Sequence, residues 1–414
     1  VEAEAIREVA RVFGKAKNAI VFWGMGVSQH VYGTNNARCL ISLALLTGNV
    51  GKPGAGLHPL RGQNNVQGAS DAGLIPMVYP DYQPVGDPEV RAKFEAAWGR
   101  ELSPDPGLTV VEITRAALEG QVRGMYIMGE NPFLSDPNTN KVRKALSNLE
   151  FLVVQDIFLT ETAEFADVIL PASAYLEKEG TYTNTDRRVQ LGRPALDSPG
   201  EARLDWEIVQ DISRRVGYEM NYASSSEIFE EMAKLTTSYA TLTHDNLGPH
   251  GKLWPNPDPE HEEGPTVLFD DAFPTANGRA KLVPAEWTAG PELPDDEYPF
   301  VLNTGRLLEH WHTGAMTRRS AALDAIAPEA FVAIHPEDAA ELGVCEGDRV
   351  AIESRRGRIR LAAKLTTREI RGAVFVPFHF REAAANLLTL DEIDPDGKIP
   401  EFKFCAVKVS RCDD

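Results

Sequence analysis

The 414 residues carry a formal charge of −19, with 43% hydrophobic and 25% charged side chains, a composition that supports two or three domains with sizeable cores and excludes a disordered chain. So acidic a surface repels nucleic-acid phosphate and anionic membrane, and an anionic ligand has to be met by a local basic or amide-lined pocket. No run of about eighteen apolar residues and no charged-then-apolar leader occurs, so neither a membrane span nor a signal peptide is expected. Cys39, Cys345, Cys405 and Cys412 form no CxxC pair, which argues against a disulfide framework or a cysteine metal site and fits a reducing cytoplasm.

The chain opens at Val1 inside a helical pattern, EAIREVARVFGKA, which reads as the continuation of something longer upstream. KNAIVFWGMGVSQ then reads as a buried strand entering a loop, with a helix near residues 34–47 that Gly48 stops. The same strand, loop and helix grammar returns at VRGMYIMGENPFLSDPNTNKVRKALSNL, at EFLVVQDIFLTETAEFA and at ADVILPA. Short apolar runs alternating with helices indicate an α/β fold, a parallel sheet flanked by helices, whose ligands sit beyond the carboxyl ends of the strands. The loops expected to carry function are therefore Met25 to Gln29, Gly129 to Asp136 and Gln155 to Thr160. Helices are expected near residues 203–216 and 226–235, and residues 244–298, rich in Pro, Gly and acid, read as an irregular connector. From residue 299 onward FVLNTGR, RVAIESRRGRIRLAAKLT and GAVFVPFHF read as strands, with a short helix at HPEDAAELG and a turn at CEGDR, so 299–414 is expected to be a separate β-rich domain.

Four polar stretches invite a chemical reading. GMG at residues 24–26 lacks the third glycine of a dinucleotide fingerprint and reads as a turn or a partial nucleotide loop. HPLRGQNNVQGASDAG, residues 58–73, holds one arginine, four side-chain amides and three glycines. Arg61 there either pairs with an acidic surface or, fixed by its amide neighbours, presents two parallel donors to a carboxylate, a geometry lysine cannot reproduce. GENPFLSDPN offers Glu130, Asn131, Ser135 and Asp136 before a helix, either as a phosphate cradle or as ordinary caps. GRLLEHWHTG gathers Arg306, His310 and His312 around Trp311; His-x-His could hold a metal, but no third ligand lies near in sequence, and an anionic or heteroaromatic ligand suits the segment better. No Ser/His/Asp hydrolase signature, P-loop or HExxH motif occurs.

LLTGNVGKPGAGLHPLRGQNNVQGASDAG, IMGENPFLSDP, VVQDIFLTETAEFADVILPASAYLEKEGTYTNTDRRVQ and TGRLLEHWHTGAMTRRS, in this order, resemble the catalytic subunit of molybdenum- or tungsten-dependent formate dehydrogenases in the molybdopterin oxidoreductase superfamily, with the soluble NAD-linked type closest. The resemblance runs from about residue 15 to PEFKFCAVKV at residues 400–409. It implies a Rossmann-like αβα region followed by a C-terminal double-psi β-barrel. Residues 1–62 would end one αβα cofactor-binding domain, 63–243 would form a second αβα region, 244–298 the connector, and 299–414 the dinucleotide-binding barrel. The implied cofactor is a bis-molybdopterin guanine dinucleotide carrying molybdenum or tungsten, a long phosphate-bearing ligand gripped by several loops at once.

Residue by residue, the resemblance makes Arg61 the arginine that orients the formate carboxylate and Gln63 a glutamine beside the cofactor. Met25 and Gln29 match a loop meeting one dinucleotide. Gly129, Glu130, Asn131, Ser135, Gln155, Asp156, Ala172 and Asp205 match cofactor-contacting positions of the α/β region; Arg306, His310, His312, Asn386, Phe402 and Lys403 match contact segments of the last domain. The family's metal-ligating cysteine or selenocysteine and its 4Fe-4S cysteines precede the region seen here, and nothing in these residues replaces them. Ser70 stands where many relatives carry Cys and reads as packing variation. The implied reaction is oxidation of formate to carbon dioxide, with the reverse direction open, in partnership with iron–sulfur and flavin/NAD subunits in the cytoplasm and without nucleic acid or membrane. Another member of the superfamily, such as an assimilatory nitrate reductase, and a cofactor-binding or assembly module without redox activity are the alternatives.

Overall fold

A β-branched and aromatic run, IVFW, forms β1 (Ile20–Trp23), and it pairs in parallel with β2 (Gly56–Pro59), Ile20 opposite Gly56 and Trp23 opposite Pro59. The computed structural model describes residues 1–412 and divides into two compact units. The first unit joins Val1–Gly24, Asn35–Thr109 and Ser173–Ala285; the second joins Met25–Thr34, Val110–Ala172 and the chain from Glu286 onward. β1 was expected to be buried, yet only Val21 is; Phe22 is 58% exposed. Among the described residues β2 is its single strand neighbour, so its other edge pairs with no strand. Helices Ala3–Lys15 and Gly33–Leu46 flank the pair in sequence, as the apolar periodicity predicts.

A small hairpin, β3 (Val78–Tyr79) and β4 (Gln83–Pro84), precedes helix Pro88–Trp98 in the first unit. The helix starts where the Asp87 side chain accepts from the Glu89 and Val90 amides and stops at Gly99 with φ 64°. In the second unit β5 (Gly124–Met128), β6 (Phe151–Asp156) and β7 (Val168–Pro171) make a parallel sheet with β6 central. Leu152 and Val154 of β6 are sealed against Val142 and Leu146 of helix Thr139–Asn148. Returning to the first unit, β8 (Gly180–Thr183), β9 (Arg188–Gly192) and β10 (Lys252–Leu253) form an antiparallel sheet over a core of Val189, Phe229, Tyr239 and Leu242. β10 lies inside the span expected to be an irregular connector. Gly251 allows it, since a Cβ at that residue, with φ 71°, would stand 2.2 Å from the Val189 carbonyl oxygen.

The last six strands close a barrel: β11 (Phe300–Gly305), β12 (Phe331–Ile334), β13 (Arg349–Glu353), β14 (Arg358–Leu365), β15 (Ala373–Pro377) and β16 (Cys405–Arg411). Their order around the barrel is β11-β15-β12-β14-β13-β16, with β11–β15 and β12–β14 parallel and the rest antiparallel. Alternating residues such as Val350 and Ile352, Leu361 and Ala363, Val374 and Val376 fill its interior. Among the described residues no helix is long and apolar enough to cross a membrane.

Because Ile352 is fully buried in the barrel interior, Ile352→Ala should cost about 2–5 kcal/mol of unfolding free energy. Replacing its half-buried neighbour Glu353, which among the described residues pairs with Arg358 and Lys408, should cost about 1 kcal/mol or less. Denaturant midpoints of the two variants check the contrast.

Candidate functional site

In the first unit the chain leaves β2 at Pro59, and the Leu60 amide still donates to the Trp23 carbonyl (2.7 Å). Arg61 follows at the carboxyl end of the strand. Its amide donates to Thr185 Oγ1 (3.0 Å), and Nη1 donates to the Val66 carbonyl and to Ser70 Oγ (both 3.2 Å). Nε and Nη2, the two nitrogens of one guanidinium edge, meet no acceptor among the described residues. Arg61 lines a cavity of about 120 Å³ whose walls also include Gln63, Asn64, Asn184, Thr185 and Gln190. Every other polar side chain in the lining is an amide or a hydroxyl; none is a carboxylate. Asn65, held at φ 60°, accepts from the Thr183 amide (2.9 Å) and so ties the loop to β8. Ser70 is therefore more than packing variation: its oxygen accepts from Arg61 while its hydroxyl donates to the Val66 carbonyl (3.0 Å). Thr185 had no signal in the sequence beyond its polar neighbours.

In the second unit the loops after β5, β6 and β7 carry the α/β candidates. Gly129 (φ 64°) turns the chain, its amide donating to the Gln155 carbonyl (2.8 Å). Asn131 is 5% exposed and saturated: Oδ1 accepts from the Thr162 amide (3.2 Å) and hydroxyl (2.8 Å), and Nδ2 donates to Glu161 (2.8 Å). Gln155 is fully buried and accepts from the Tyr126 hydroxyl. The Ala172 amide donates to the Asp156 carbonyl (3.1 Å), and the Ser135 hydroxyl donates to Asp136 (3.1 Å). These residues shape the loops from behind. What the loops offer in addition is acid: burial lifts the Asp136 carboxyl to about 7, and burial together with the Asp156 charge raises Glu130. A stretch with three carboxyls suits a ligand that donates hydrogen bonds better than it suits a phosphate.

The barrel's loops have the opposite character. The Arg306 guanidinium lies over the rings of Trp311 (5.5 Å) and Phe378 (5.8 Å), and desolvation lowers its pKa. Lys403 donates to the Thr304 carbonyl (2.5 Å); burial and the Arg306 charge bring its pKa to about 8. His312, edge-on to Phe378 and with no hydrogen bond to its ring nitrogens among the described residues, is pushed down to about 4 by burial and by Arg306. Neither Arg306 nor Lys403 has an acidic partner among the described residues. Two cations set near each other without a counter-ion are the arrangement an anionic ligand would complete.

His310 does not join His312 as a metal pair. It is 2% exposed, with Nε2 on the Ala327 carbonyl (2.7 Å) and Nδ1 on Thr317 Oγ1 (3.3 Å), so neither nitrogen is free. Among the described residues no three His, Cys, Asp or Glu side chains gather as a metal site. Asn386 is likewise sealed, its amide donating to the Leu134 (2.8 Å) and Ser135 (3.0 Å) carbonyls, while the Phe402 carbonyl accepts from Thr304 (2.8 Å). His379, which sequence reasoning missed, donates from Nδ1 to the His312 carbonyl (2.5 Å) and accepts at Nε2 from the Leu307 amide (2.8 Å), fixing both its tautomer and the 307–312 loop.

Met25 opens a helical turn, Met25–Ser28, and Gln29 follows it directly, rather than both lying in an open loop; the Gln29 amide donates to the Met25 carbonyl (2.8 Å). His30 fastens this turn. Nδ1 faces Glu401 (2.9 Å) and Nε2 the Gly26 carbonyl (3.0 Å), two acceptors that favour the doubly protonated ring, and its pKa is raised, chiefly by Glu401. Glu401, 1% exposed, also accepts from the Val31 amide (2.9 Å). Asp205 belongs to the first unit, where it opens helix Asp205–Arg215 and pairs with Lys178.

The molybdopterin oxidoreductase family model matches residues 4–215, and the molydopterin dinucleotide binding domain model matches residues 300–406. The F420-dependent formate dehydrogenase subunit alpha of Methanocaldococcus jannaschii is 47% identical over 99% of this chain and 61% of its own length. Formate dehydrogenase H of Escherichia coli is 42% identical over 99% of this chain and 58% of its own length. The chain thus spans about three fifths of these relatives. Acetylene hydratase from Pelobacter acetylenicus shares the fold, with a TM-score of 0.72 at 17% identity over 99% of this chain and 63% of that one.

The His30 latch sets a pH dependence. Its folded pKa lies above the unfolded value of 6.5, so its stabilisation is complete below that value and is lost as pH rises through the folded pKa. The melting-temperature gap between the parent and His30→Gln should be widest in the acid range and narrow above neutrality; a gap that widens toward alkaline pH contradicts the doubly protonated ring.

Proposed function

Because the chain belongs to the molybdopterin oxidoreductase family, we propose that it is the substrate- and cofactor-binding part of a formate dehydrogenase alpha subunit, oxidising formate to carbon dioxide once the remainder of the polypeptide is present. The observation that carries this reading is the bare Nε/Nη2 edge of Arg61 in a pocket walled by neutral amides and hydroxyls. A guanidinium edge takes both oxygens of a planar carboxylate through two parallel charge-assisted bonds. Formate held so has its C–H bond pointing directly away from Arg61, toward whatever receives the hydrogen. Arg61 cannot act as a base at ordinary pH, so its part is orientation and charge neutralisation. Formate has no other part to grip, and this one pair supplies most of its orientation.

The side chains fit the implied cofactor. Arg306, Lys403 and His312 would meet its phosphates or pterin. Met25, Gln29, Gly129, Glu130 and Asp156 would meet the nucleotide portions, and Gln63 and Asp205 supply further contacts in the first unit. Asn131, Ser135, Gln155, Ala172, His310, Asn386 and Phe402 hold the loops that do so. When bound, molybdenum or tungsten bis-molybdopterin guanine dinucleotide supplies the acceptor for the two electrons that formate gives up with one proton. A 4Fe-4S cluster upstream of these residues, and iron–sulfur and flavin/NAD subunits in the cytoplasm, would supply the onward path for the electrons. The methanogen relatives are named for F420, which makes F420 the alternative acceptor to NAD. The closed six-stranded barrel is read as double-psi, with domain limits at residues 62, 243 and 298.

In the full-length enzyme, assayed with formate and a viologen dye, Arg61→Lys should raise KM and lower kcat/KM about 10²-fold, equivalent to about 3 kcal/mol. Turnover of nitrate in place of formate would overturn the assignment. Replacing both Arg306 and Lys403 by Ala should lower the pterin recovered per purified chain.

A further inference from the structure

Beneath the Arg61 loop lies a buried carboxylate that neither substrate binding nor the implied cofactor uses. Asp71, the last residue of helix Val66–Asp71, is 1% exposed. It accepts from the Tyr239 hydroxyl (2.6 Å), the Gln67 side-chain amide (2.7 Å) and the Tyr82 hydroxyl (2.9 Å). Since Tyr239 spends its proton on Asp71, the Thr183 hydroxyl 3.0 Å away must donate to Tyr239. The bonds thus run one way, from Thr183 at the pocket wall through Tyr239 to the carboxylate. Tyr82 reaches Asp71 from a turn in which Asp81 and Tyr82 both hold left-handed backbone, φ 65° and 57°. Asp81 secures that turn by accepting from the Thr237 and Ser238 amides (both 3.0 Å).

The same six-residue helix supplies the Val66 carbonyl and Ser70 hydroxyl that hold Arg61 Nη1. No other hydrogen bond reaches the guanidinium among the described residues, though its charge also acts on Asp71 through space. A backbone strained at two successive residues, a tyrosine pair and a buried negative charge all converge on the end of one short helix, an arrangement that stability alone does not require. We propose that Asp71, with Tyr82 and Tyr239, is a positioning group for Arg61: it locks the helix that grips Nη1 and thereby keeps the Nε/Nη2 edge aimed into the pocket. This rests on the reading of Arg61 as the formate-binding residue.

A double-mutant cycle in the full-length enzyme tests it. Asp71→Asn should raise KM for formate about tenfold in the parent, with a smaller change in kcat, and should change KM by less than about twofold in an Arg61→Lys background. Tyr82→Phe, which removes one of the three donors and keeps the carboxylate, runs the same cycle should Asp71→Asn fail to fold. Metal per chain, measured in each variant, should equal the parent's. If Arg61→Lys leaves KM unaltered, the formate-binding reading itself is wrong. If Arg61→Lys raises KM while the Asp71 and Tyr82 variants leave it unchanged, or multiply it equally in both backgrounds, only the positioning role is overturned.

Discussion

A guanidinium can serve a two-oxygen anion only while one of its edges stays bare, and a bare cationic edge inside a protein is unstable unless something else fixes it. In the first unit that constraint organises the residues around Arg61. Its amide is held by Thr185 and its Nη1 by Val66 and Ser70, so the side chain is restrained from behind without an acid reaching its front. Any carboxylate in the pocket lining would satisfy the edge and close the site; the lining is amide and hydroxyl throughout. In a chain with a net charge of −19, that exclusion is the informative feature, because a random surface arginine would find an acid.

The second unit solves a different electrostatic problem. Its sheet-edge loops concentrate Glu130, Asp136 and Asp156, with Glu130 and Asp136 pushed toward their neutral forms, whereas its barrel loops hold Arg306 and Lys403 with no counter-ion among the described residues and a depressed lysine. Both arrangements raise the free energy of the empty protein, and both are relieved by a ligand of matching polarity: hydrogen-bond donors for the acids, negative charge for the bases. A purine-like edge and a phosphate are groups of those two kinds, and a dinucleotide carries both on one molecule.

The strand, loop and helix grammar was legible because hydrophobic periodicity is local, and β5, β6 and β7 fall where the apolar runs put them. The barrel's strands were legible singly, but their order was not, since pairing β11 with β15 joins residues about seventy positions apart. At the candidate site Arg61 could be found because its loop has too many amides for a core. Asn131, His310 and Asn386 could be found as polar residues, yet the sequence does not say which way a polar side chain points, and all three point inward and are saturated by protein. His379 and Glu401 went unseen because their partners, Leu307 and His30, lie far along the chain. Ser70 was misread for a related reason: a hydroxyl in place of a thiol looks like packing until the arginine it serves is in view.

Strain marks the functional loops. Non-glycine residues in left-handed backbone cost about 1–3 kcal/mol each and persist only where surrounding bonds over-determine them. Asn65, Asp81, Tyr82 and Arg187 in the first unit, and His312 in the second, are all of this kind. Each is tied down: Asn65 by the Thr183 amide, Asp81 by two helix-following amides, Tyr82 by Asp71, and His312 by His379 on its carbonyl. Arg187 is tied by three carbonyls, those of Trp254, Pro265 and Thr266. Such bonds add little net stability, because water would satisfy the same groups in the unfolded chain. What they add is uniqueness of shape. A loop free to relax its left-handed residues would move the Arg61 edge or the His312 ring by more than a hydrogen bond tolerates, so the strain is better understood as the cost of holding those groups in one arrangement.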